Sequence, residues 1–205
     1  MSRKRAAILI SGRGSNMTAL IEAAKADEYP AEIALVVSNR PDASGLKRAR
    51  EAGVATVVVD HVPFGEDRAA FERALDAKLQ EYRIDLVCLA GFMRLLTPWF
   101  VGRWSGRMLN IHPALLPQFK GLHTHRRALE AGVKWHGATV HFVVPEMDAG
   151  PIVAQESVAV HENDTEAMLA ARVLEIEHQI YPRALRALAE GKIGLTAADS
   201  KKEAG

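Results

Sequence analysis

Asparagine and histidine two positions apart, followed at once by proline, make Asn110-Ile111-His112-Pro113 the segment of this chain richest in chemical possibility. Alternate side chains of an extended chain share a side, so Asn110 and His112 project together, and Pro113 biases His112 away from helix. An amide beside an imidazole can donate hydrogen bonds to an oxygen that is gaining negative charge, which suits acyl-type transfer. Asp148 stands in the turn Met147-Asp148-Ala149-Gly150-Pro151. A carboxylate near an imidazole favours its charged form, and such a pair can shuttle a proton. Taken singly, each residue also has a plain structural role: strand-end cap for Asn110, hydrogen-bonded core histidine for His112, turn former for Asp148.

A second signal is Ser11-Gly12-Arg13-Gly14-Ser15-Asn16, lying between an apolar run and a helical stretch that begins near Met17. Its two glycines let the backbone approach an anion, and unpaired N–H groups at a helix start attract phosphate. Ser15 and Asn16 can cap the helix or donate to phosphate oxygens; a tight turn is the simpler alternative. A dinucleotide fingerprint needs a third glycine and an acidic residue at the tip of the second strand. Met17 and Asn39 occupy those places, so a monophosphate suits the loop better than NAD.

Other chemistries are disfavoured. His112, His123, His125, His136 and His141 invite a metal reading, but no cysteine accompanies them and none of the five stands in His-x-x-x-His or Glu-x-x-His spacing, so no metal is expected. The Gly-x-Ser-x-Gly elbow of serine hydrolases is missing. Cys88, the single cysteine, sits in an apolar run and reads as a buried, inert thiol in a reducing cytoplasm.

These residues need a scaffold, and the apolar runs at 6–10, 33–37, 56–59, 86–90 and 108–111 supply one. Runs apolar on both faces, such as Ala6-Ala7-Ile8-Leu9-Ile10, need helices on each side, and the segments around 16–27, 44–53 and 66–83 provide them. Beyond residue 135 the runs at 138–144 and 152–160 are joined by a short turn, which predicts a hairpin-like antiparallel addition. Asn163-Asp164-Thr165-Glu166 offers caps for a last helix carrying Met168, Leu169, Val173, Ile176 and Ile180 as its apolar stripe, with Pro182 a place for a kink. The expected fold is α/β: a single-domain, Rossmann-like, mostly parallel sheet flanked by helices, with antiparallel strands added in the C-terminal third. The domain is expected over 1–195, with 196–205 a disordered tail.

The whole chain sets bounds on partners. At 205 residues, 48% hydrophobic and 25% charged, it falls in the range of one globular domain. Lys and Arg number 26 against 25 Asp and Glu, which gives no case for nucleic acid or an acidic membrane. The apolar stretch after Met1-Ser2-Arg3-Lys4-Arg5 stops at Ser11-Gly12, too soon for a signal peptide or a membrane span. A soluble, cytoplasmic protein acting on small molecules is expected.

Five segments together resemble the phosphoribosylglycinamide formyltransferases, the purine-pathway branch of the folate-dependent formyltransferases. They are Ser11-Gly12-x-Gly14-Ser15-Asn16, Leu89-Ala90-Gly91-Phe92-Met93-Arg94, Asn110-Ile111-His112-Pro113-x-Leu115-Leu116-Pro117, Gly121-Leu122-His123-Thr124-His125 and Asp148-x-Gly150-Pro151. The resemblance runs over nearly the whole chain. It implies formyl transfer from 10-formyltetrahydrofolate to the amine of glycinamide ribonucleotide, with no metal and no covalent enzyme intermediate, in a monomer or homodimer. It implies that Asn110 and His112 stabilise an oxyanion while Asp148 keeps His112 suitably protonated. It assigns the ribonucleotide to Gly14, Ser15, Asn16 and Glu177 in a fold whose N-terminal half binds it. It assigns the folate to Arg68, Met93, Arg94, Leu95, Leu96, Asn110, Val144, Pro145, Glu146, Met147 and Asp148, with 117–127 a mobile flap. Methionyl-tRNA formyltransferase, formyltetrahydrofolate hydrolase and a non-enzymatic nucleotide-binding module are the competing readings; the first two carry an extra C-terminal or N-terminal domain for which these residues leave no evident room.

Overall fold

The computed structural model describes residues 3–195. The five early apolar runs become parallel strands β1 (Lys4–Ile10), β2 (Ala31–Ser38), β3 (Thr56–Val58), β4 (Leu86–Leu89) and β5 (Met108–His112). They are followed by β6 (Trp135–Phe142) and β7 (Ile152–Ala159), each antiparallel to its neighbour. All seven form one sheet in the order β3-β2-β1-β4-β5-β6-β7. The Rossmann-like, mostly parallel sheet and its antiparallel extension therefore stand as the sequence implies.

Helices α1 (Ser15–Ala23), α2 (Gly45–Glu51), α3 (Arg68–Glu81), α4 (Pro98–Arg103), α5 (Thr124–Glu130) and α6 (Glu166–Ala189) cover the two faces. The alternation within β1 explains why both faces had to be apolar. Ala6, Ile8 and Ile10 pack with α1, α2, α5 and α6, while Ala7 and Leu9 pack with Phe71, Leu75 and Leu79 of α3 and with Phe100 of α4.

Three differences have local causes. Helices α4 and α5 and the 3₁₀ turn Val62–Phe64 have too few positions to show a helical period in the sequence. Helix α4 starts with Pro98 at its first position, where a missing N–H costs nothing, and the N–H of Thr97 before it donates to buried Glu72 (2.6 Å). In α6 the buried face runs through Leu169, Val173, Glu177, Ile180, Tyr181 and Ala184, and Met168, expected in the stripe, is 52% exposed. The helix continues through Pro182, whose carbonyl accepts the Tyr29 hydroxyl (2.7 Å). Of the four cap residues offered at 163–166, Thr165 is the one that caps it, accepting from Met168 N–H (3.2 Å). The expected disordered tail, 196–205, lies outside the described residues.

Candidate active site

Neighbours of the central strand β1 lie on opposite sides in chain order, β2 on one and β4 on the other, and such a switch point opens a crevice at the carboxyl ends of the strands. Two loops flank it. The loop after β1 turns through Gly14, left-handed at φ 69°, into α1, a conformation glycine adopts without strain. The Gly14 carbonyl takes both the N–H (3.0 Å) and the hydroxyl (3.1 Å) of Thr18, closing the first turn behind Ser15. Asn16 is buried and its Nδ2 donates to Glu177 Oε2 on α6 (2.7 Å), leaving Asn16 Oδ1 buried without a partner. Glu177 is thus no ordinary exposed helix glutamate; burial raises its pKa, opposed by the Asn16 hydrogen bond. The four ribonucleotide candidates are therefore gathered at one place, where α1 meets α6.

The second group forms where β5 meets β6. Asn110 is directly opposite His141, so their side chains share a face, and Asn110 Nδ2 lies 3.1 Å from His141 Nε2. His141 Nδ1 is 2.8 Å from the Phe142 carbonyl, which can only accept, so Nδ1 carries the proton and Nε2 accepts from Asn110. Burial lowers the His141 pKa and so favours this neutral ring. His112 is also buried. Its Nδ1 lies 3.4 Å from Asp148 Oδ2, and its Nε2 donates to the Phe119 carbonyl (3.0 Å). Asp148 Oδ2 also accepts from Gly121 N–H (2.8 Å), and its Oδ1 lies 3.8 Å from His141 Nε2. Asp148, distant in sequence from Asn110 and His112, is thus brought together with them beside His141.

Two features fix this arrangement. Asp148 has a left-handed backbone, φ 51°, which aspartate tolerates better than most residues. Behind it, any Cβ on Gly150 would come within 1.8 Å of the Phe142 carbonyl oxygen, so only glycine closes the turn. On the other side, Thr139 Oγ1 donates to Ala114 O (2.6 Å) and accepts from Leu116 N–H (3.1 Å) and from Gln155 Nε2 (2.8 Å). That binds the loop after His112 to β6 and β7.

The folate candidates spread over three elements on this rim. Met93 and Leu95 are 64% and 59% exposed, Leu96 packs partly against the α3 side, and Arg94 lies over the Phe71 ring at 5.0 Å. Arg68, exposed, begins α3 one turn before Phe71. Val144 is half-buried, while Pro145, Glu146 and Met147 are exposed. Lys120 pairs with Glu146 (3.0 Å), linking this turn to the expected flap. The segment expected as a flap is two things here, a loop over 117–123 followed by the first turn of α5. Arg127 ties them, donating to Lys120 O.

The sequence reading missed the roles of Thr139, Gln155, Phe119 and Gly121, and it weighed His141 only as a metal ligand. Period-two alternation places His141 and Thr139 on one side of their own strand, but only the β5–β6 register sets them against Asn110 and His112. Among the described residues, no group of three or more His, Cys, Asp or Glu is arranged to hold a metal ion.

A switch-point crevice with an amide, an imidazole and a carboxylate at its rim is the framework of an α/β transferase acting on an acyl-type carbon. The chain belongs to the formyl transferase family, whose sequence model matches residues 4–185. Phosphoribosylglycinamide formyltransferase of Escherichia coli K12 is 47% identical over 186 residues, 91% of this chain and 87% of that protein. The human trifunctional purine biosynthetic protein adenosine-3 is 48% identical over 94% of this chain, which spans only 19% of that longer protein. Among solved structures, the phosphoribosylglycinamide formyltransferase of Brucella melitensis superposes with a TM-score of 0.88 at 51% identity, covering 96% of this chain and 100% of that one. Glycinamide ribonucleotide transformylase 1 of Symbiobacterium toebii gives a TM-score of 0.91 at 46% identity, covering 95% and 92%.

Proposed function

We propose that this enzyme transfers the formyl group of 10-formyltetrahydrofolate to the amine of 5'-phosphoribosylglycinamide. The products are 5'-phosphoribosyl-N-formylglycinamide and tetrahydrofolate, as a step of de novo purine (IMP) synthesis. The observation that carries the reading is the cluster of Asn110, His112 and Asp148, with the Asn16–Glu177 pair and the exposed apolar residues of the 91–97 loop on the same carboxyl-end rim of the sheet. Gly14, Ser15 and Asn16 hold the phosphate, and Glu177 takes the ribose hydroxyls. The unpartnered Oδ1 of Asn16 suits a hydroxyl donor. Met93, Leu95, Leu96 and Met147 wall the folate rings, while Arg68 and Arg94 offer cations for its glutamate tail. Backbone and side chains of Val144, Pro145 and Glu146 line the opposite side.

The substrate amine attacks the formyl carbon, a C–N bond forms, and the carbonyl electron pair moves onto oxygen. With one amide hydrogen given to His141, the other hydrogen of Asn110 Nδ2 is free for that oxygen. His112 is the second donor once the 117–123 loop shifts and the Phe119 carbonyl releases Nε2. Asp148 stays beside Nδ1 and balances the charge on the ring. The proton lost by the amine leaves through this pair, the bond to the folate nitrogen breaks, and that nitrogen is reprotonated. A cytoplasmic enzyme, monomeric or homodimeric and free of metal, fits this reading; no described helix is long and apolar enough to cross a membrane.

The test mixes purified protein with glycinamide ribonucleotide and 10-formyltetrahydrofolate and follows deformylation by absorbance, with and without acceptor, for the wild type, His112→Ala and Asp148→Ala. Turnover that requires the acceptor and collapses in both variants supports the transferase. Acceptor-independent turnover identifies a hydrolase, and tight nucleotide binding without turnover identifies a binding module.

A further inference from the structure

One polar chain in the crevice is absorbed by none of these roles. Ser11, 8% exposed at the tip of β1, donates its hydroxyl to Asn39 Oδ1 (2.6 Å) at the tip of β2. Asn39 is buried in turn, and its carbonyl accepts from the N–H (3.3 Å) and ring Nδ1 (2.8 Å) of His61, beyond β3. On its other side Ser11 reaches the loop after β4: its N–H donates to Gly91 O (3.1 Å), and its Oγ accepts from Met93 N–H (2.8 Å). The line His61, Asn39, Ser11, Met93 therefore follows the spatial order β3-β2-β1-β4 and crosses the switch point itself.

The hydroxyl has one proton, and Asn39 Oδ1 takes it, so the Ser11 lone pairs are turned toward Met93 N–H. At its far end the same loop is anchored again. Glu72, 1% exposed, accepts from the N–H (2.6 Å) and the hydroxyl of Thr97. Between these anchors the loop presents Met93 and Leu95 to solvent, an arrangement unfavourable for large apolar side chains unless something covers them.

We propose that Ser11, oriented by Asn39, is a positioning residue for the folate: it belongs by sequence to the phosphate loop, yet it holds the 91–97 loop as a preformed wall. The inference rests on the folate site proposed above. A wall already ordered spares the ligand the cost of ordering it, so the loss should appear in folate affinity.

The experiment measures steady-state constants for both substrates, with direct calorimetric binding of the analogue 5,8-dideazafolate, which carries no formyl group to transfer, for wild type, Ser11→Ala, Ser11→Thr and Asn39→Ala. Ser11→Ala is expected to raise the folate KM and the analogue Kd roughly three- to tenfold, the span of one neutral hydrogen bond. The nucleotide KM and kcat should each stay within about twofold. Ser11→Thr, keeping the hydroxyl, should restore most of the affinity, and Asn39→Ala, which leaves Ser11 in place but frees its proton, should weaken it by a smaller factor. If Ser11→Ala melts too low to assay, Asn39→Ala carries the test alone. A rise confined to the nucleotide KM, or unchanged folate binding in a folded variant, overturns the proposal. Failure of the wild type to bind the analogue or turn over instead sinks the functional reading on which it rests.

Discussion

At the scale of single residues, the proposed mechanism divides the site into groups that would face the reacting atoms and groups that hold them. Asn110→Ala removes the amide donor and is expected to lower kcat by about 10²–10³-fold. His112→Ala should lower it by about 10²–10⁴-fold. In both, steady-state rates should be read beside circular dichroism that stays native. Cys88 predicts the opposite kind of result: burial pushes its thiol up to about 12, so the native protein should show no reaction with a disulfide reagent until denaturant is added. Asn110 and His112 were legible because a strand's period of two needs no tertiary information. His141 was not, since its hold on Asn110 depends on how β5 and β6 are registered.

At the scale of elements, two predictions concern the segments that deliver Asp148 and Phe119. Gly150→Ala forces a Cβ into the Phe142 carbonyl, and a misplacement of about 1 Å at Asp148 is expected to cost about 10²-fold in kcat, with a lowered melting temperature. His136 on β6 is fully buried, with the rings of Phe119 and His125 edge-on at 5.8 and 5.3 Å. Burial, helped by His125, pushes its pKa down from 6.5 to about 4. The unfolded chain therefore takes up a proton near 6.5 that the native one refuses until about 4, and stability falls as pH drops through that window while remaining level above it. His136→Phe keeps the ring contacts and removes the proton, so its melting temperature should vary less between those pH values than the wild type's. An unchanged pH slope would assign the acid sensitivity to other groups, half-buried His125 among them. The strands here were legible from apolar runs, whereas α5 was not: its seven residues show no stripe, and its position comes from packing Ala128 against the sheet.

At the scale of the molecule, the sheet holds the two halves of the proposed site at fixed separation, and α6 secures it. Tyr181 on α6 is fully buried, with its hydroxyl 3.0 Å from Leu89 O and 3.1 Å from Leu109 O, at the joint of β4 and β5. Tyr181→Phe should lower unfolding free energy by about 1–2 kcal/mol in urea titration, since it strands a buried carbonyl. What the amino-acid order determined alone was local: both-face apolar strands that demand a covered parallel sheet, a glycine loop opening a helix, capping residues at 163–166, and Asn110 beside His112. The tertiary structure decided everything that depends on distant chain segments meeting. That includes Glu177 turned inward onto Asn16, Asp148 brought within reach of His112, and Ser11 bridging two loops across the switch point. The physical reason is that strand and helix periods are encoded over a few residues by burial and backbone geometry. Hydrogen bonds between residues 28 to 161 positions apart exist only once the sheet has fixed strand order and register.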